Sequence, residues 1–81
     1  MQVTIRLFAR LRDIAGTHEL VRHVPAGATV EAVWQALSGE FPAMAPHRSS
    51  MSAAVNAEYA RFTQAVVDGD EVVFLPPVSG G

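Results

Sequence analysis

The sequence of 81 residues predicts one α+β domain, built from a single sheet and one main helix that covers it. Two observations lead to this fold class. Segments at both ends of the chain alternate apolar and polar residues with the period of a half-buried strand. Between them, one segment places apolar residues at the i, i+3, i+4 and i+7 spacing of an amphipathic helix. No internal repeat or linker divides the chain, so residues 1–81 are predicted to form a single domain.

The first predicted strand covers residues 2–8. Its alternation puts Arg6 and Phe8 on one face and an apolar set on the other, namely Val3, Ile5 and Leu7. A short helix is expected from Phe8 to Gly16, because glycine readily adopts the left-handed conformation that ends many helices. A second strand is predicted over residues 19–24, and it stops at the turn formed by Pro25-Ala26-Gly27.

The main helix is predicted to begin after Thr29, whose hydroxyl suits the N-cap, and Glu31 adds a negative charge to its first turn. Its apolar stripe consists of Val30, Val33, Trp34 and Leu37, and the helix is expected to stop near Ser38-Gly39. Trp34 is interpreted as a packing residue rather than a ligand-stacking one. Residues 42–52 have no sustained period and are expected to form an irregular connection or a short helical turn.

The last part of the chain is predicted to complete the sheet. Residues 53–56 and 59–62 have the pattern of a short hairpin, and a turn at 68–70 precedes a last strand over 71–75. Two prolines then prevent a continued ladder of hydrogen bonds. Residues 76–81 are therefore expected to form an extended C-terminal tail.

An apolar patch is predicted on the face of the sheet that the main helix leaves uncovered. The helix has one apolar stripe and can cover only one face. In the last strand Glu71 should avoid the core, so the period of 2 places Val73 and Leu75 on its side, together with Phe8. An apolar patch of this kind on a small protein usually marks a partner site. The alternative is that segment 42–52 buries the patch.

The composition narrows the functional classes. With 49% hydrophobic and 17% charged residues, the chain is too apolar and too weakly charged to be a disordered tail. A formal charge of −2 argues against unspecific binding to nucleic acid or to an acidic membrane. The absence of cysteine excludes disulfides, thiolate metal sites and a cysteine nucleophile. Because the sequence has neither a bilayer-spanning run nor a signal peptide, a cytoplasmic protein is expected.

Three histidines and an acidic turn are the remaining candidates for metal or catalytic chemistry. His18, His23 and His47 lack ligand spacing and are interpreted as solvated side chains. Asp68 and Asp70 are assigned to a tight turn, since the pattern of a calcium-binding loop is absent. No metal site is therefore predicted.

Several segments of the chain point to a known family. They are Leu7-Phe8-Ala9-Arg10-Leu11-Arg12 with Gly16, Ala53-Ala54-Val55-Asn56, Asp68-Gly69-Asp70-Glu71-Val72, and Phe74-Leu75-Pro76-Pro77-Val78-Ser79-Gly80-Gly81. In this order they resemble the MoaD branch of the ubiquitin-like sulfur carriers over essentially the whole chain. The resemblance implies a β-grasp fold, with a mixed sheet covered on one face by a main helix. This fold agrees with the element order predicted above.

The resemblance implies a sulfur carrier of molybdenum cofactor biosynthesis that is not an enzyme on its own. In the family, an adenylating enzyme related to ubiquitin-activating enzymes uses ATP to activate the carboxylate of the last glycine, here Gly81. A sulfur donor enzyme then supplies the sulfur that displaces AMP, which leaves a thiocarboxylate. The thiocarboxylate attacks cyclic pyranopterin monophosphate in the large catalytic subunit of molybdopterin synthase, in an assembly with two of each subunit. No cofactor is expected to be bound to the chain itself, and the net charge argues against a nucleic-acid or membrane partner.

The tail and the docking face also receive roles from the resemblance. The tail inserts into the large subunit, so that five residues lead to Gly81, namely Pro76, Pro77, Val78, Ser79 and Gly80. At about 3.1–3.4 Å per residue, an extended tail over 76–81 reaches roughly 20 Å. The docking positions of the family correspond to Phe8, Tyr59 and Leu75, to which the strand alternation adds Val73. Arg12 corresponds to a salt-bridge contact with a carboxylate of the partner.

Two other functions of the same fold stay open. One is sulfur transfer for thiazole synthesis or another thiolation route, against which the segment 8–16 and Pro76-Pro77 argue. The other is a protein modifier joined through Gly81 to lysines of target proteins. All six basic residues are arginines, so the chain offers no lysine amine to its own activated carboxyl group. This property is compatible with a carrier and with a modifier.

Overall fold

The computed structural model describes residues 1–77, and it consists of one five-stranded sheet with helices on one side. The elements in chain order are β1 Gln2–Leu7, α1 Ala9–Ala15, β2 Glu19–His23, α2 Val30–Glu40, a 3-10 helix Pro42–Ser50, β3 Ser52–Val55, β4 Glu58–Ala60 and β5 Glu71–Leu75. The end of the predicted tail lies outside the described residues, and with it Val78, Ser79, Gly80 and Gly81. Within residues 1–77, no helix has the length and hydropathy needed to cross a membrane.

The sheet is mixed, with the strand order β2-β1-β5-β3-β4. Strand β1 pairs antiparallel with β2 and parallel with β5, and β5 pairs antiparallel with β3. Strands β3 and β4 form the predicted hairpin. The parallel pair of β1 and β5 brings the first and last strands together at the centre of the sheet, with α2 in the crossover between them.

The covered face of the sheet and the apolar stripe of α2 form the core. The alternation in β1 and β5 is confirmed, since Val3, Leu7, Val72 and Phe74 are all 0% exposed. An aromatic cluster lies at the centre of the core. The ring of Trp34 meets Phe74 edge-on at a centroid distance of 5.0 Å, and Phe62 stacks with Phe74 at a centroid distance of 6.1 Å. Such pairs contribute about 0.5–1.5 kcal/mol beyond the burial of their area.

The main helix has the predicted cap and runs slightly further than predicted. The Thr29 hydroxyl accepts a hydrogen bond from the Ala32 amide at 3.2 Å, which satisfies one of the open amides at the N-terminus of α2. The helix continues through Gly39 to Glu40, past the predicted stop near residues 38–39. Glu40 forms an ion pair with Arg22 of β2, a contact between distant residues that favours this slightly later end.

The segment after α2 lies on the helical side of the sheet. The 3-10 helix Pro42–Ser50 packs against α2 and α1, so the alternative that this segment buries the opposite face is wrong. Its last turn is fixed by Arg48, whose guanidinium carbon lies 3.4 Å from the centroid of the Phe62 ring. The same guanidinium donates to the Glu31 carboxylate at 2.8 Å.

The second strand of the hairpin is shorter than predicted. It ends at Ala60, and the chain then leaves the sheet because Phe62 turns inward onto the core. The carbonyls of Phe62 and Gln64 accept hydrogen bonds from the first two amides of α2, each at 2.9 Å. Residues predicted to extend a strand therefore complete the N-terminus of the main helix instead.

Candidate functional site

The face of the sheet opposite α2 carries a row of side chains that crosses all five strands. The strand register aligns Glu19, Arg6, Val73, Ala54 and Tyr59, from β2 at one edge to β4 at the other. Antiparallel and parallel partners in register point to the same side of a sheet, so these side chains are neighbours. The row is polar in its β2 and β1 part and apolar from β5 to β4.

A shallow depression of about 400 Å³ lies over the apolar part of this face. We call it the open-face depression, and its lining residues are Arg6, Phe8, Ala54, Ala57, Tyr59, Glu71, Val73 and Leu75. Val73 and Leu75 form its floor and are half-buried, while Phe8 is 42% and Tyr59 82% exposed. Two exposed aromatic rings beside an aliphatic floor are typical of a surface that a partner protein covers.

Strand parity brings most of the predicted docking residues together. Phe8, Tyr59, Val73 and Leu75 all line the open-face depression. Phe8 follows the end of β1 in an extended conformation, with φ −130°, so it stays on the face that the alternation predicts while serving as the N-cap of α1. Arg12 does not line the depression. It is exposed in the last turn of α1, a helix that ends at Gly16 with the left-handed φ of +76°.

One ion-paired group limits the charge at the rim of the depression. Nε of Arg6 lies 3.1 Å from a carboxylate oxygen of Glu71, and its Nη2 lies 3.3 Å from Glu19. Because the guanidinium serves both carboxylates, the rim presents paired rather than isolated charges. The lining therefore suits an apolar partner surface better than an ionic ligand.

Strand β5 connects the depression to the tail. Its outward side chains Val73 and Leu75 form the floor, and its last residue is paired with Ser52 of β3. Beyond Leu75 the chain continues into Pro76, which is half-buried, and Pro77, which is exposed. Neither proline has an amide hydrogen, so the β3–β5 ladder stops at this point. The rest of the tail, including Gly81, lies outside the described residues.

Sequence patterns did not identify four lining residues. Arg6 and Glu71 share their face with Phe8 and Val73, so the period of 2 contained a signal for both, but charge made them look like solvated positions. Ala54 enters through the register of β3 with β5. Ala57 enters through the β3–β4 turn, where Asn56 and Ala57 both have positive φ, at 51° and 69°. Register and turn conformation are not visible in the spacing of single residues.

The acidic turn has a structural task, as predicted. A carboxylate oxygen of Asp68 accepts a hydrogen bond from the Gln2 amide at 2.7 Å, and Asp70 accepts from Val67 N and from Asn56 Nδ2, both at 2.8 Å. Asp70 is buried with both of its oxygens bonded, so it needs no bound cation. No cluster of potential metal ligands occurs among residues 1–77, the three histidines included.

Two carboxylates on the helical side have lowered pKa values. The hydrogen bond from Arg48 holds the pKa of Glu31 below its ordinary value, and the hydrogen bond from Arg22 does the same for the pKa of Glu40. Both groups lie away from the open-face depression. Their ionisation therefore belongs to folding rather than to the candidate site.

Known proteins resemble this chain both in sequence and in structure. The sequence matches the ThiS family over residues 5–81. It is 36% identical to the molybdopterin synthase sulfur carrier subunit of Escherichia coli, covering 98% of this chain and 99% of that protein. It is 33% identical to the protein of the same name from Arabidopsis thaliana, covering 100% of this chain and 84% of that protein.

A solved structure resembles the whole chain. The crystal structure of SAMP1 from Haloferax volcanii superimposes with a TM-score of 0.86 at 32% identity, and the match covers 100% of both chains. Together with the mixed five-stranded sheet under one main helix, this likeness confirms the predicted β-grasp fold.

Proposed function

The chain belongs to the ThiS family, and we propose that it is the sulfur carrier subunit of a molybdopterin synthase. The proposal places no catalytic centre within the chain. It assigns the reactive group to Gly81, and it assigns the open-face depression to the large subunit that uses the sulfur. The names of the Escherichia coli and Arabidopsis thaliana relatives support this pathway over thiazole synthesis.

One observation carries the proposal, namely that strand β5 has two tasks. Its outward residues Val73 and Leu75 form the floor of the depression, and the same strand leads directly into Pro76 and Pro77. A partner that covers the depression therefore fixes the position from which the tail starts. The two prolines restrict the base of the tail, which lowers the entropy that its ordering costs on insertion. From Pro76, residues 76–81 reach roughly 20 Å when extended.

The activation step follows from the chemistry of a carboxylate. The α-carboxylate has a pKa of about 3.5 and is ionised at neutral pH, which makes it a poor electrophile. We assign its activation to an adenylating enzyme that transfers AMP from ATP to Gly81 and releases pyrophosphate. A sulfur donor enzyme then provides the sulfur that displaces AMP, and a thiocarboxylate remains. This terminal sulfur supplies the nucleophile that a chain without cysteine lacks.

Delivery takes place in the large subunit. The tail carries the thiocarboxylate to cyclic pyranopterin monophosphate, where the sulfur forms a C–S bond with a substrate carbon and displaces an oxygen substituent of that carbon. Water then cleaves the acyl–sulfur bond, so that the sulfur stays on the substrate and the Gly81 carboxylate is restored. A dithiolene contains two sulfurs and each carrier brings one, so two turnovers of the carrier are required for each product. This requirement fits an assembly with two copies of each subunit, in which Phe8, Tyr59, Val73 and Leu75 contact the large subunit and Arg12 pairs with one of its carboxylates.

Mass spectrometry of the intact chain tests the activation step. After incubation with ATP, the cognate adenylating enzyme and a sulfur source, the wild-type chain is expected to gain the mass that replaces one oxygen by sulfur. Gly81→Ala is expected to lose this change while unfolding at the wild-type denaturant concentration. Ala36→Gly, an exposed substitution in α2, serves as the control and should be converted normally. Full conversion of Gly81→Ala, or none of the wild type, would contradict the proposal.

The likeness to SAMP1, the small archaeal modifier protein 1 of Haloferax volcanii, supports a second candidate function. As a modifier, the chain would form an amide between the Gly81 carboxyl group and a lysine of another protein, with loss of AMP from the adenylate. Peptide mass spectrometry of cell protein separates the two functions. Lysines that carry the C-terminal residues of this chain indicate a modifier, whereas a thiocarboxylate without such adducts indicates a dedicated carrier.

A further inference from the structure

The six arginines of the chain divide into two groups of three. Arg6, Arg22 and Arg48 form ion pairs with glutamates of the chain. The other three, Arg10, Arg12 and Arg61, form no ion pair with any residue of 1–77, and all three are exposed. The chain therefore satisfies half of its guanidinium groups internally and presents the other half to solvent.

The strand register places these three arginines at one end of the strands, the end at which β5 finishes. Arg61 follows Ala60, which pairs with Ala53, so it comes next to the level of Ser52 and Leu75. Arg10 and Arg12 belong to α1, which begins just beyond Leu7, the partner of Phe74 in the β1–β5 ladder. The tail leaves the sheet at this same end of the strands. We call it the exit end.

The opposite end of the strands carries acidic groups. Asp68 caps the Gln2 amide where β1 begins, Asp70 directly precedes β5, and Glu58 begins β4. The acidic side chains at the exit end are Asp13 of α1 and Glu19, which begins β2 and forms an ion pair with Arg6. Among residues 1–77, four arginines (Arg6, Arg10, Arg12 and Arg61) therefore meet two carboxylates (Asp13 and Glu19) at this end, although the formal charge of the chain is −2.

We propose that Arg10 and Arg61 join Arg12 in recognising acidic side chains around the entrance of the pocket that accepts the tail. The inference rests on the proposed function and names the chemistry of the partner surface. That surface should be apolar over the open-face depression and acidic at the exit end. Guanidinium groups suit this task because their planar donors match a carboxylate. Charges at the rim of an interface mainly increase the association rate by steering the encounter.

The arrangement of the arginines favours several separate carboxylates over one phosphate. Residues two apart on a helix do not face each other, so Arg10 and Arg12 lie on different flanks of α1, on either side of the buried Leu11. Arg61 belongs to a different element, at the end of β4. A single phosphate group needs donors that converge on it. Several carboxylates around a pocket entrance can instead each bind one of these separated arginines.

Stopped-flow association with the cognate large subunit tests this inference. At low salt, the double variant Arg10→Gln, Arg61→Gln is expected to associate about tenfold more slowly than the wild type, with little change in its dissociation rate. Arg22→Gln removes the same type of charge from the helical side of the sheet and should change the association rate less than about twofold. At 1 M salt, where the Debye length is about 3 Å, the double variant should match the wild type.

The outcomes separate this inference from the proposed function. If the wild type does not bind the large subunit at all, the proposed function fails. If the wild type binds but the double variant associates as fast at low salt, the acidic partner surface is wrong. Addition of ATP at constant ionic strength distinguishes the phosphate alternative. A slower association of the wild type, absent in the double variant, would show that the arginines bind nucleotide phosphates and would overturn the assignment to carboxylates.

Discussion

The two faces of strand β5 carry apolar side chains with opposite surroundings. Phe74 is 0% exposed and packs against the rings of Trp34 and Phe62. Leu75, the next residue, is half-buried on the floor of the open-face depression. The alternation of the strand is the same for both, and the difference arises from what covers each face. Helix α2 covers the first, whereas nothing in residues 1–77 covers the second.

Within strand β5, side chains on the covered face stabilise the fold, and side chains on the open face contribute to association with a partner. A side chain on the covered face contributes to folding, because its burial is complete in the isolated chain. A side chain on the open face gains most of its burial only when a partner docks, so its contribution appears in the affinity. Neighbouring substitutions in β5 should therefore affect different measurements.

Phe74→Ala should produce the largest effect. Removing a fully buried phenylalanine typically costs about 3–5 kcal/mol of the free energy of unfolding, from lost transfer energy and from the cavity that remains. Here it also removes the edge-on contact with Trp34 at 5.0 Å. Urea denaturation followed by Trp34 fluorescence measures the loss. A loss below about 1 kcal/mol would mean that the covered face does not determine stability.

Leu75→Ala and Phe8→Ala should each weaken association with the large subunit by about 1–3 kcal/mol, the range of a modest hot spot. The free energy of unfolding should change far less than in Phe74→Ala, because both residues remain accessible in the isolated chain. Calorimetric titration gives the affinity and urea denaturation the stability. Val21→Ala, an exposed substitution on β2 outside the depression, is the matched control. Unchanged affinity in both variants would remove these residues from the interface.

Arg48→Gln should lower the free energy of unfolding by about 1 kcal/mol, because it removes the contact with the Phe62 ring and an exposed ion pair. The effect should depend on pH. Since the Arg48 hydrogen bond lowers the pKa of Glu31 in the folded protein, the pair contributes stability above the ordinary pKa of 4.5 and loses it as the pH falls through the folded pKa.

Denaturation of wild type and Arg48→Gln between neutral pH and acid measures this dependence. The gap between the two proteins should narrow below pH 4.5. A gap that stays constant would assign the whole effect to the Phe62 ring. Affinity for the large subunit should stay unchanged, because Arg48 lies on the helical side of the sheet.

Ala57→Gly should have the smallest effect and the opposite sign. Ala57 has φ +69° in the β3–β4 turn, a left-handed conformation that glycine adopts without the clash of a Cβ atom. Relief of this strain should raise the free energy of unfolding by about 0.5 kcal/mol, since the entropy of glycine offsets part of the gain. Thermal unfolding measures it. A lower melting temperature would show that the Ala57 methyl group stabilises the fold in another way.

The strands and their faces follow from the sequence because alternation is a local property. Val3, Ile5, Leu7, Val72 and Phe74 were placed on the covered face from spacing alone, and the structure confirms them. Gly16 and Thr29 ended and began their helices as predicted, because capping depends on one or two neighbouring residues.

What the sequence did not reveal depends on contacts between distant residues. Phe62 was predicted to extend a strand, but its contacts with Phe74 and with the Arg48 guanidinium turn it into the core. The later end of α2 coincides with the ion pair between Glu40 and Arg22. Ala54 and Ala57 line the depression through register and turn conformation. The docking role of Tyr59 came from the family resemblance rather than from any pattern of spacing.

The central claim is that the terminal carboxyl group of this chain, once activated, reacts in the pocket of another protein. The most direct measurement is product formation from cyclic pyranopterin monophosphate by the large subunit, the adenylating enzyme, ATP and a sulfur source, with either the full chain or a chain that stops at Ser79. We expect product with the full chain and none with the shortened one, although the shortened chain still folds and binds through the open-face depression. Equal product from both chains would contradict the claim.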